Sequence, residues 1–387
     1  MQDLEKYFLL KEDITYLNFG SFGACPRPVF EKYQAYQREL EAEPVEFITS
    51  LGPRYLEESR KALAAYIHCE ADDLVYMTNP SYAVNTIAKS FALRTGDEVL
   101  TTDLEYGACD RTWDFYCQKA GATYIKQHIN LPLTDKETFV EDLFSGLNKN
   151  TKLIFLSHIT SSTALRLPVE EVCARARKEG IPVCIDGAHA PGQIPLDLKS
   201  LDPEFYTGAC HKWMMTAKGS SFLYVKKSWQ KTVEPLIVSW GYKAMYPSSS
   251  EFLDWHQVNG TRDYSAFLTI PAAIEFMEAH NWPSVAATCR KMVQDNVPAL
   301  CELLNTKPLS PLTDDFMLQL CSAEIQCGET EKLHDVLLNK FKIQVPVPRH
   351  RHKNYLRYSI NGFNNQQDLD KLFAALQDIK KTTNLIG

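Results

Sequence analysis

The sequence contains no block of basic residues and no long hydrophobic run. Its 41 lysine and arginine residues are outnumbered by 48 aspartate and glutamate residues, giving a formal net charge of -7 at pH 7. Surfaces that bind nucleic acid or anionic membranes need clustered positive charge, so we expect a small-molecule ligand instead. No segment reaches the roughly 18 consecutive apolar residues of a membrane span, and the first residues lack a signal-peptide pattern. We therefore expect a cytoplasmic protein with neither a nucleic-acid nor a membrane partner.

The sequence also lacks any C-x-x-C pair, although it has eleven cysteines. An odd number of scattered cysteines argues against a disulfide framework and against a thiolate metal site. We interpret them as reduced thiols, most of them buried, and expect no metal. The segment 349–352, with the sequence RHRH, is interpreted as a solvated basic loop because its arginines would repel a metal cation. Contact with a polar or acidic tail of a substrate is the alternative.

Helical and strand-like patterns alternate between about residues 50 and 225. The strand-like runs are short and flanked by Gly, Pro or Asp, and they include DLVYMTN, GDEVLTTDLEY, ATYIKQHI, TKLIFLSHI and IPVCIDGA. This alternation predicts an α/β fold with a mostly parallel sheet that helices cover on both faces. From about residue 270, helices and two possible strands, MLQLCSAEI and YLRYSI, predict a smaller α+β domain.

Polar residues follow several of the predicted strands. Ligands of open parallel sheets bind beyond the carboxyl ends of the strands, so these residues are candidates for a site. The turn TNPSYAVN opens a helix, and it either caps that helix or binds an anion such as phosphate. Tyr106 follows the next strand and either stacks on a planar ligand or fills a gap. The run SHITSST is a dense hydroxyl cluster, and Asp186 ends an apolar strand, where an unpaired charge is costly.

Lys212 lies between His211 and Trp213, just ahead of another run that resembles a buried strand. It is either a surface charge whose stem packs on Trp213 or an amine with a chemical role. A lysine, an acid, an aromatic platform, a phosphate-binding helix start and a hydroxyl cluster are together what pyridoxal 5'-phosphate requires of a protein. This combination favours the second interpretation and predicts that cofactor.

The order and spacing of these motifs resemble the class V aminotransferase family of fold type I pyridoxal phosphate enzymes. DGAHAPG is followed, 26 residues after its aspartate, by the lysine of HKW, and NGTRDYSAFL lies downstream. The chain resembles the isopenicillin N epimerase-like and cysteine desulfurase-like branch over nearly its whole length. The resemblance implies a mostly parallel seven-stranded sheet between helices. It also implies an N-terminal segment lining the active site (1–25), a large cofactor-binding domain (26–265) and a small C-terminal α+β domain (266–387).

The resemblance further implies roles for individual residues. Lys212 would form the Schiff base with the cofactor and act as the catalytic base, and Asp186 would hold the pyridine nitrogen protonated. Tyr106 would stack on the ring as a second catalytic residue, and His189 would lie beside it. The other implied cofactor contacts are Ser81, Tyr82 and His211 at the phosphate and Ser161 at the phenolic oxygen.

The resemblance also implies a substrate site and a partner subunit. Arg357 would bind the substrate carboxylate, as a bidentate guanidinium can, and Asn18 would contribute to substrate binding. Gly260 and Thr261 match a loop that family members offer to the cofactor phosphate of the neighbouring subunit. This match implies a homodimer.

Two features depart from the family's pattern. Many relatives carry a polar Ser or Asn two or three residues before the lysine, where this chain has Gly208, Ala209 and Cys210. Pro80 stands where an N–H donor is common, and proline has none. One phosphate contact is therefore missing or supplied by another residue.

Four reactions compete for this cofactor: epimerisation, β-elimination, persulfide-forming desulfuration and transamination. Desulfuration needs a nucleophilic cysteine on the loop before the carboxylate-binding arginine, and QVPVPRHRHKNYLRYS contains none. Cys25, Cys109 and Cys210 are candidates to lie near the site, although buried thiols are the simpler interpretation. Epimerisation needs a proton donor opposite Lys212, on the face that Tyr106 would partly occupy. Elimination needs only Lys212 as the base.

We therefore predict a carbon–sulfur lyase that performs β-elimination on a cysteine S-conjugate or sulfoxide. Hercynylcysteine sulfoxide is an example, since epimerase-like relatives include enzymes that cleave it. An epimerase, an aminotransferase and a non-catalytic binding protein with the same fold are the alternatives. A nucleotide-binding oxidoreductase is disfavoured, because no G-x-G-x-x-G follows the first strand.

Overall fold

The computed structural model describes residues 4–387, and a seven-stranded sheet lies at its centre. Along the chain, the strands are β1 (Thr15–Tyr16), β2 (Leu74–Met77), β3 (Glu98–Thr102), β4 (Thr123–Gln127), β5 (Thr151–Ser157), β6 (Val183–Asp186), β7 (Phe205–Ala209), β8 (Ser221–Val225), β9 (Leu320–Glu324), β10 (Ile343–Gln344), β11 (Arg349–His350) and β12 (Lys353–Ser359). The central sheet has the order β2-β8-β7-β6-β5-β3-β4. Strand β8 is antiparallel to both of its neighbours, and the other pairs are parallel. The predicted α/β fold with a mostly parallel seven-stranded sheet is confirmed.

Helices connect and cover these strands. They are α1 (Phe19–Phe22), α2 (Arg27–Ala42), α3 (Pro44–Glu46), α4 (Gly52–Tyr66), α5 (Pro80–Ser90), α6 (Gly107–Ala120), α7 (Lys136–Phe144), α8 (Val169–Glu179), α9 (Leu198–Leu201), α10 (Glu251–Gln257), α11 (Ser265–Leu268), α12 (Ile270–Ala279), α13 (Trp282–Leu303), α14 (Thr330–Asn339) and α15 (Gln366–Thr382). Helix α5 begins where the Asn79 side chain accepts the backbone N–H of Tyr82, with Pro80 in the first turn. Both features are typical of a helix start.

The central strands are buried on both sides. Every residue of β2, β6, β7 and β8 is buried, and in β5 only Lys152 is exposed. Burial on both faces explains why most of these strands are continuous apolar runs. Strand β7 is not among the predicted strands, because Thr207 and Gly208 interrupt its apolar run. Within residues 4–387, no helix is both long enough and apolar enough to cross a lipid bilayer.

Two smaller sheets join the ends of the chain. Strands β11, β12 and β9 form an antiparallel sheet in that order, with Arg357 of β12 opposite Ser322 of β9. Strands β9 and β12 correspond to the two possible strands predicted after residue 270. Strand β1 pairs in parallel with β10, which places Thr15 opposite Ile343. The N-terminal segment is therefore fixed to the C-terminal part of the chain.

Candidate active site

A cavity of about 310 Å³ lies at the carboxyl ends of β3, β5 and β6. Its lining consists of Ser21, Phe22, Asn79, Pro80, Ser81, Tyr106, Ser157, Ile159, Ser161, Asp186, Ala188, His189, His211 and Lys212. A larger cavity of about 720 Å³ lies between the N-terminal segment and residues 363–368, but it contains none of the predicted site residues. The smaller cavity is therefore the candidate site, because it collects the lysine, the acid and the aromatic residue at the sheet edge where ligands bind.

Lys212 follows β7 and lines this cavity. Its Nζ lies 3.1 Å from Nε2 of His189. Burial lowers the pKa of Lys212 to about 8, because desolvation penalises the ammonium form; the charge of Asp186 opposes this shift and that of Arg357 reinforces it. A neutral amine is therefore accessible near physiological pH, and a neutral amine can act as a nucleophile or a base.

Asp186 is the last residue of β6, and its side chain is buried. Its Oδ1 accepts the backbone N–H of Ala188 at 2.9 Å, and its Oδ2 accepts the thiol of Cys109 at 3.4 Å. Burial raises the pKa of Asp186, opposed by the Ala188 N–H and by the charge of Lys212. Within residues 4–387, the carboxylate forms no ion pair. A protonated pyridine nitrogen would supply the cation that this buried acid lacks, so the site fits pyridoxal phosphate.

His189 lies between Lys212 and Trp213. Its Nδ1 accepts the indole N–H of Trp213 at 3.2 Å, while its Nε2 faces the lysine amine. Burial lowers the pKa of His189 well below its usual value, reinforced by the charges of Lys212 and Arg357, so the imidazole is neutral. Trp213 is not among the predicted site residues. The only sequence feature that could have indicated a role for Trp213 is its position next to Lys212. That position is equally consistent with simple packing.

The start of helix α5 lies at one end of the cavity. Its lining residues are Asn79, Pro80 and Ser81. Tyr82 is not in the lining, and its backbone N–H donates to Oδ1 of Asn79 at 2.9 Å. His211 does line the cavity, with its Nδ1 located 2.7 Å from the carbonyl oxygen of Ser220. Ser81 and His211 are therefore the predicted phosphate contacts that come together here, at a helix start suited to an anion.

Packing explains the small residues that precede the lysine. A Cβ added at Gly208 would lie 2.6 Å from the ring of Phe222, so this position has no room for a polar side chain. Ala209 and Cys210 are completely buried. Burial also raises the pKa of Cys210 to about 12, which keeps its thiol protonated. Gly208 and Ala209 of β7 lie opposite Phe222 and Ser221 of β8, so small residues suit this packing.

Tyr106 and Glu105 follow β3 and differ in exposure. Tyr106 is 46% exposed and lines the cavity, whereas Glu105 is 3% exposed. Oε2 of Glu105 accepts the backbone N–H and the hydroxyl of Ser157 at 2.8 and 2.6 Å, and its Oε1 accepts the hydroxyl of Thr102 at 2.6 Å. Burial raises the pKa of Glu105 to about 8, although these hydroxyl donors oppose the shift. Sequence reasoning missed this acid, although an acid after an apolar strand is the signal that singled out Asp186.

Arg357 of β12 does not line the cavity, but it contacts two residues that do. Its Nη1 donates to the carbonyl oxygen of Ser161 at 2.7 Å, and its Nη2 donates to the hydroxyl of Ser21 at 2.7 Å. Its Nε is buried and has no hydrogen-bond partner within residues 4–387. Burial lowers the pKa of Arg357 to about 10. A buried guanidinium with a free N–H is suited to a carboxylate ligand. Asn18 lies outside the lining and contacts the site through Ser21, whose hydroxyl donates to its Oδ1 at 2.5 Å.

Three of the predicted or candidate residues lie away from the cavity. Gly260 and Thr261 are exposed, in the segment between α10 and α11. Cys25 lines a separate cavity, and burial raises its pKa to about 12. Among the described residues, no cysteine lines the 310 Å³ cavity. The thiol that desulfuration would need is therefore not in the lining.

The contacts of Arg351 contradict the interpretation of segment 349–352 as a solvated loop. It forms an ion pair with Asp103, and its Nη1 donates to the carbonyl oxygen of Ile129 at 2.9 Å. That interpretation is wrong for Arg351, because an acid placed just after β3 fixes the guanidinium against the large sheet. The segment is attached close to the turn that carries Tyr106.

The chain is similar to known proteins over nearly its whole length. The family model "Aminotransferase class-V" matches residues 16–372. The chain is 30% identical over 381 residues to an isopenicillin N epimerase from Amycolatopsis lactamdurans, across 95% of this chain and 96% of that protein. It is 26% identical over 281 residues to a hercynylcysteine sulfoxide lyase from Schizosaccharomyces pombe, across 72% of this chain and 71% of that protein. Among solved structures, a C-DES mutant with glycine covalently linked to its pyridoxal phosphate cofactor has a TM-score of 0.82 at 20% identity, across 97% of this chain and 99% of that one.

Proposed function

The chain belongs to the class V aminotransferase family of pyridoxal phosphate-dependent enzymes, and we propose that it is a carbon–sulfur lyase. Its substrate would be an L-cysteine S-conjugate or S-oxide, as in the hercynylcysteine sulfoxide lyase that it resembles. The reaction would be a β-elimination, in which Cα loses a proton and the sulfur group leaves Cβ with the bonding electron pair.

The residues that line the cavity, together with Arg357 beside it, can divide the steps of this reaction among them. When bound, pyridoxal phosphate supplies an electron sink for carbanion chemistry at Cα of an amino acid. Asp186 would hold the ring nitrogen, while Ser81 and His211 would hold the phosphate. Lys212 would remove the Cα proton, since its lowered pKa of about 8 suits a general base. Arg357 would orient the substrate through the carboxylate, using the Nε that lacks a partner.

One observation carries the elimination. Lys212 lines the cavity, and among the described residues no cysteine is part of that lining. An elimination needs one base and a leaving group that the substrate brings with it. A persulfide-forming reaction needs in addition a nucleophilic thiolate of the protein. Burial instead raises the pKa values of Cys25 and Cys210 to about 12, which disfavours thiolates.

An epimerase is the second candidate, and one observation favours it. Tyr106 is 46% exposed at the cavity, so its hydroxyl is available as a proton donor. Epimerisation would need that proton to reach Cα on the face opposite Lys212. The similarity to an isopenicillin N epimerase supports the same possibility.

The experiment is to incubate the holoenzyme with a series of S-substituted L-cysteines and their sulfoxides. Release of pyruvate and ammonia in equal amounts supports the lyase. Loss of optical activity without pyruvate supports the epimerase and contradicts the lyase. Accumulation of pyridoxamine phosphate that a keto acid reverses indicates transamination.

A pair of lysine variants provides the control. Lys212→Ala is expected to abolish both the cofactor's covalent attachment and product release. Lys218→Ala removes an exposed lysine six positions away that lines a different cavity, so it is expected to retain both. Equal activities of the two variants would contradict the role of Lys212.

A homodimer is part of the proposal. Gly260 and Thr261 are exposed and lie outside the cavity of their own chain. The preceding segment carries large exposed apolar side chains, including Trp240 at 80% and Tyr246 at 88% exposure. Contiguous exposed apolar surface is typical of an interaction site. We also propose that the enzyme acts in the cytoplasm, where the eleven free cysteines would stay reduced.

Mixing two inactive variants tests the shared site. Lys212→Ala disables the lysine, and Thr261→Glu places a carboxylate where the partner's phosphate would bind. If the site takes Thr261 from the neighbouring subunit, mixed dimers contain one intact site and regain activity. If mixing restores nothing while co-purification of differently tagged variants shows that subunits have exchanged, the loop does not serve the partner's site.

A further inference from the structure

Trp213 occupies a position from which it can determine the protonation of two other residues. Its indole Nε1 lies 3.2 Å from Nδ1 of His189, and Nε2 of that histidine lies 3.1 Å from Nζ of Lys212. The two rings are buried, with Trp213 and His189 at 1% and 2% exposure. The indole also packs against Phe19, with ring centroids 5.1 Å apart. The three side chains therefore form one chain of contacts that begins in the core and ends at the amine.

We propose that Trp213 is a positioning residue that fixes His189 in its Nε2–H tautomer, so that His189 donates a hydrogen bond to Lys212 and holds the amine in its neutral form. This role does not depend on which reaction the enzyme catalyses.

The assignment follows from counting protons. An indole N–H only donates, so Nδ1 of His189 must accept and cannot carry a proton. A neutral imidazole has one N–H, which must then be on Nε2 and points at Lys212. An ammonium has no lone pair and cannot accept that bond. The two contacts can both be hydrogen bonds only when Lys212 is a neutral amine.

The surrounding charges also affect the protonation equilibrium of Lys212. Burial and the charge of Arg357 disfavour the charged form of Lys212, whereas the charge of Asp186 favours it. Burial of His189, with the charges of Lys212 and Arg357, also disfavours an imidazolium. Asp186 thus works against the neutral amine, and the donor from His189 works in its favour.

Loss of the indole N–H would release this constraint. His189 could then adopt the Nδ1–H tautomer, in which Nε2 becomes an acceptor for an ammonium. The pKa of Lys212 would rise toward its ordinary value. The neutral amine is the form that attaches the cofactor, because its nitrogen forms the C=N bond with the aldehyde carbon and water leaves. Attachment at neutral pH would therefore become slower.

Trp213→Phe is the variant that tests this proposal, since it keeps an aromatic ring and removes the N–H. The rate of attachment of pyridoxal phosphate to the cofactor-free full-length chain is followed by absorbance across pH. We expect the midpoint of its pH profile to move upward by about one pH unit, which is about a tenfold slower attachment at pH 7. Trp282→Phe is the matched control, because that buried indole donates instead to the carbonyl of Gly192 at 3.2 Å. Its midpoint should remain that of the wild type.

A second measurement needs no folded tryptophan variant. Nitrogen-15 NMR of the histidine side chains distinguishes the two tautomers. Among the ten histidines, the signal of His189 is the one that is missing from the spectrum of His189→Gln. An Nε2–H signal for His189 in the wild type supports the proposal. An Nδ1–H signal, or an unchanged pH midpoint in a folded Trp213→Phe variant, overturns it.

Discussion

Arg357 donates its Nη2 to the hydroxyl of Ser21 at 2.7 Å, a hydrogen bond between strand β12 and helix α1. Ser21 in turn donates to Asn18, and Nη1 of the arginine is held by Ser161. These contacts fix the guanidinium plane and leave Nε without a partner among residues 4–387. The N-terminal segment thus helps to position the group proposed to bind the substrate carboxylate.

Replacement of Arg357 by lysine is expected to raise the KM of the amino-acid substrate about 10- to 100-fold. The ammonium of lysine cannot form the bidentate contact, and a hydrogen bond to a charged group contributes about 1.5–3 kcal/mol. Ser21→Ala should raise KM by a smaller factor, because it frees the guanidinium without removing it. Steady-state kinetics of product release measure both effects. Arg349→Lys, which changes an exposed arginine on the same hairpin, should leave KM unchanged.

Replacement of Asp186 by asparagine is expected to lower kcat on the order of 100-fold while the cofactor remains attached to Lys212. The amide cannot balance a positive charge on the ring nitrogen, and loss of one such electrostatic contact typically costs this much. Absorbance shows whether the cofactor is bound, and single-turnover kinetics report the chemical step. Asp135→Asn is a suitable control, since Asp135 only caps helix α7. Full activity of Asp186→Asn would contradict the assignment.

Sequence patterns were sufficient to predict which residues come together at the ends of the strands. Asp186 and Tyr106 follow apolar runs, and the parallel sheet brings the ends of those runs to one edge. The order of the family motifs then identified Lys212 and Arg357 as candidate site residues. The mostly parallel sheet itself followed from the alternation of patterns, apart from β7, whose polar and glycine positions concealed a buried strand.

Contacts between distant side chains were beyond the reach of sequence patterns. Nothing in the spacing of Trp213 and His189 shows that the indole donates to Nδ1. Arg351 is paired with Asp103 from a segment that resembles a solvated loop, because its partner is 248 positions away. Such pairings depend on how the sheets are placed against each other, which local periodicity does not encode.

The buried Glu105 is expected to make stability depend on pH between about 4.5 and 8. Burial raises its folded-state pKa to about 8, so the folded chain holds a proton that the unfolded chain releases above about pH 4.5. Stability from this group is complete below that pH and is lost as pH rises toward 8, with a slope approaching about 1.4 kcal/mol per pH unit.

Glu105→Gln, which resembles the protonated acid, tests that dependence. Denaturant unfolding across the pH range should show the variant gaining stability relative to the wild type as pH rises. Glu41→Gln, an exposed change on helix α2, should show no such trend. Parallel curves for Glu105→Gln and the wild type would mean that Glu105 is ionised throughout.

His211 is expected to link the binding of the cofactor phosphate to pH. Its Nδ1–H donates to the carbonyl oxygen of Ser220, so neutral His211 has only a lone pair left on Nε2. A phosphate oxygen accepts hydrogen bonds, so a contact with Nε2 requires a protonated ring. Burial lowers the pKa of His211 to about 4 before any phosphate is bound. Binding must therefore take up a proton, and affinity should fall as pH rises.

The variant His211→Gln isolates this effect, because an amide N–H donates at every pH. Between about pH 5 and 8, the affinity of the wild type for pyridoxal phosphate should fall by up to about tenfold per pH unit relative to the variant. The second ionisation of the phosphate itself cancels in this comparison. Pyridoxal, which has no phosphate, should show the same pH dependence in both proteins. If pyridoxal phosphate also gives parallel curves, then His211 does not donate to the phosphate, and Ser81 with the start of helix α5 must hold it alone.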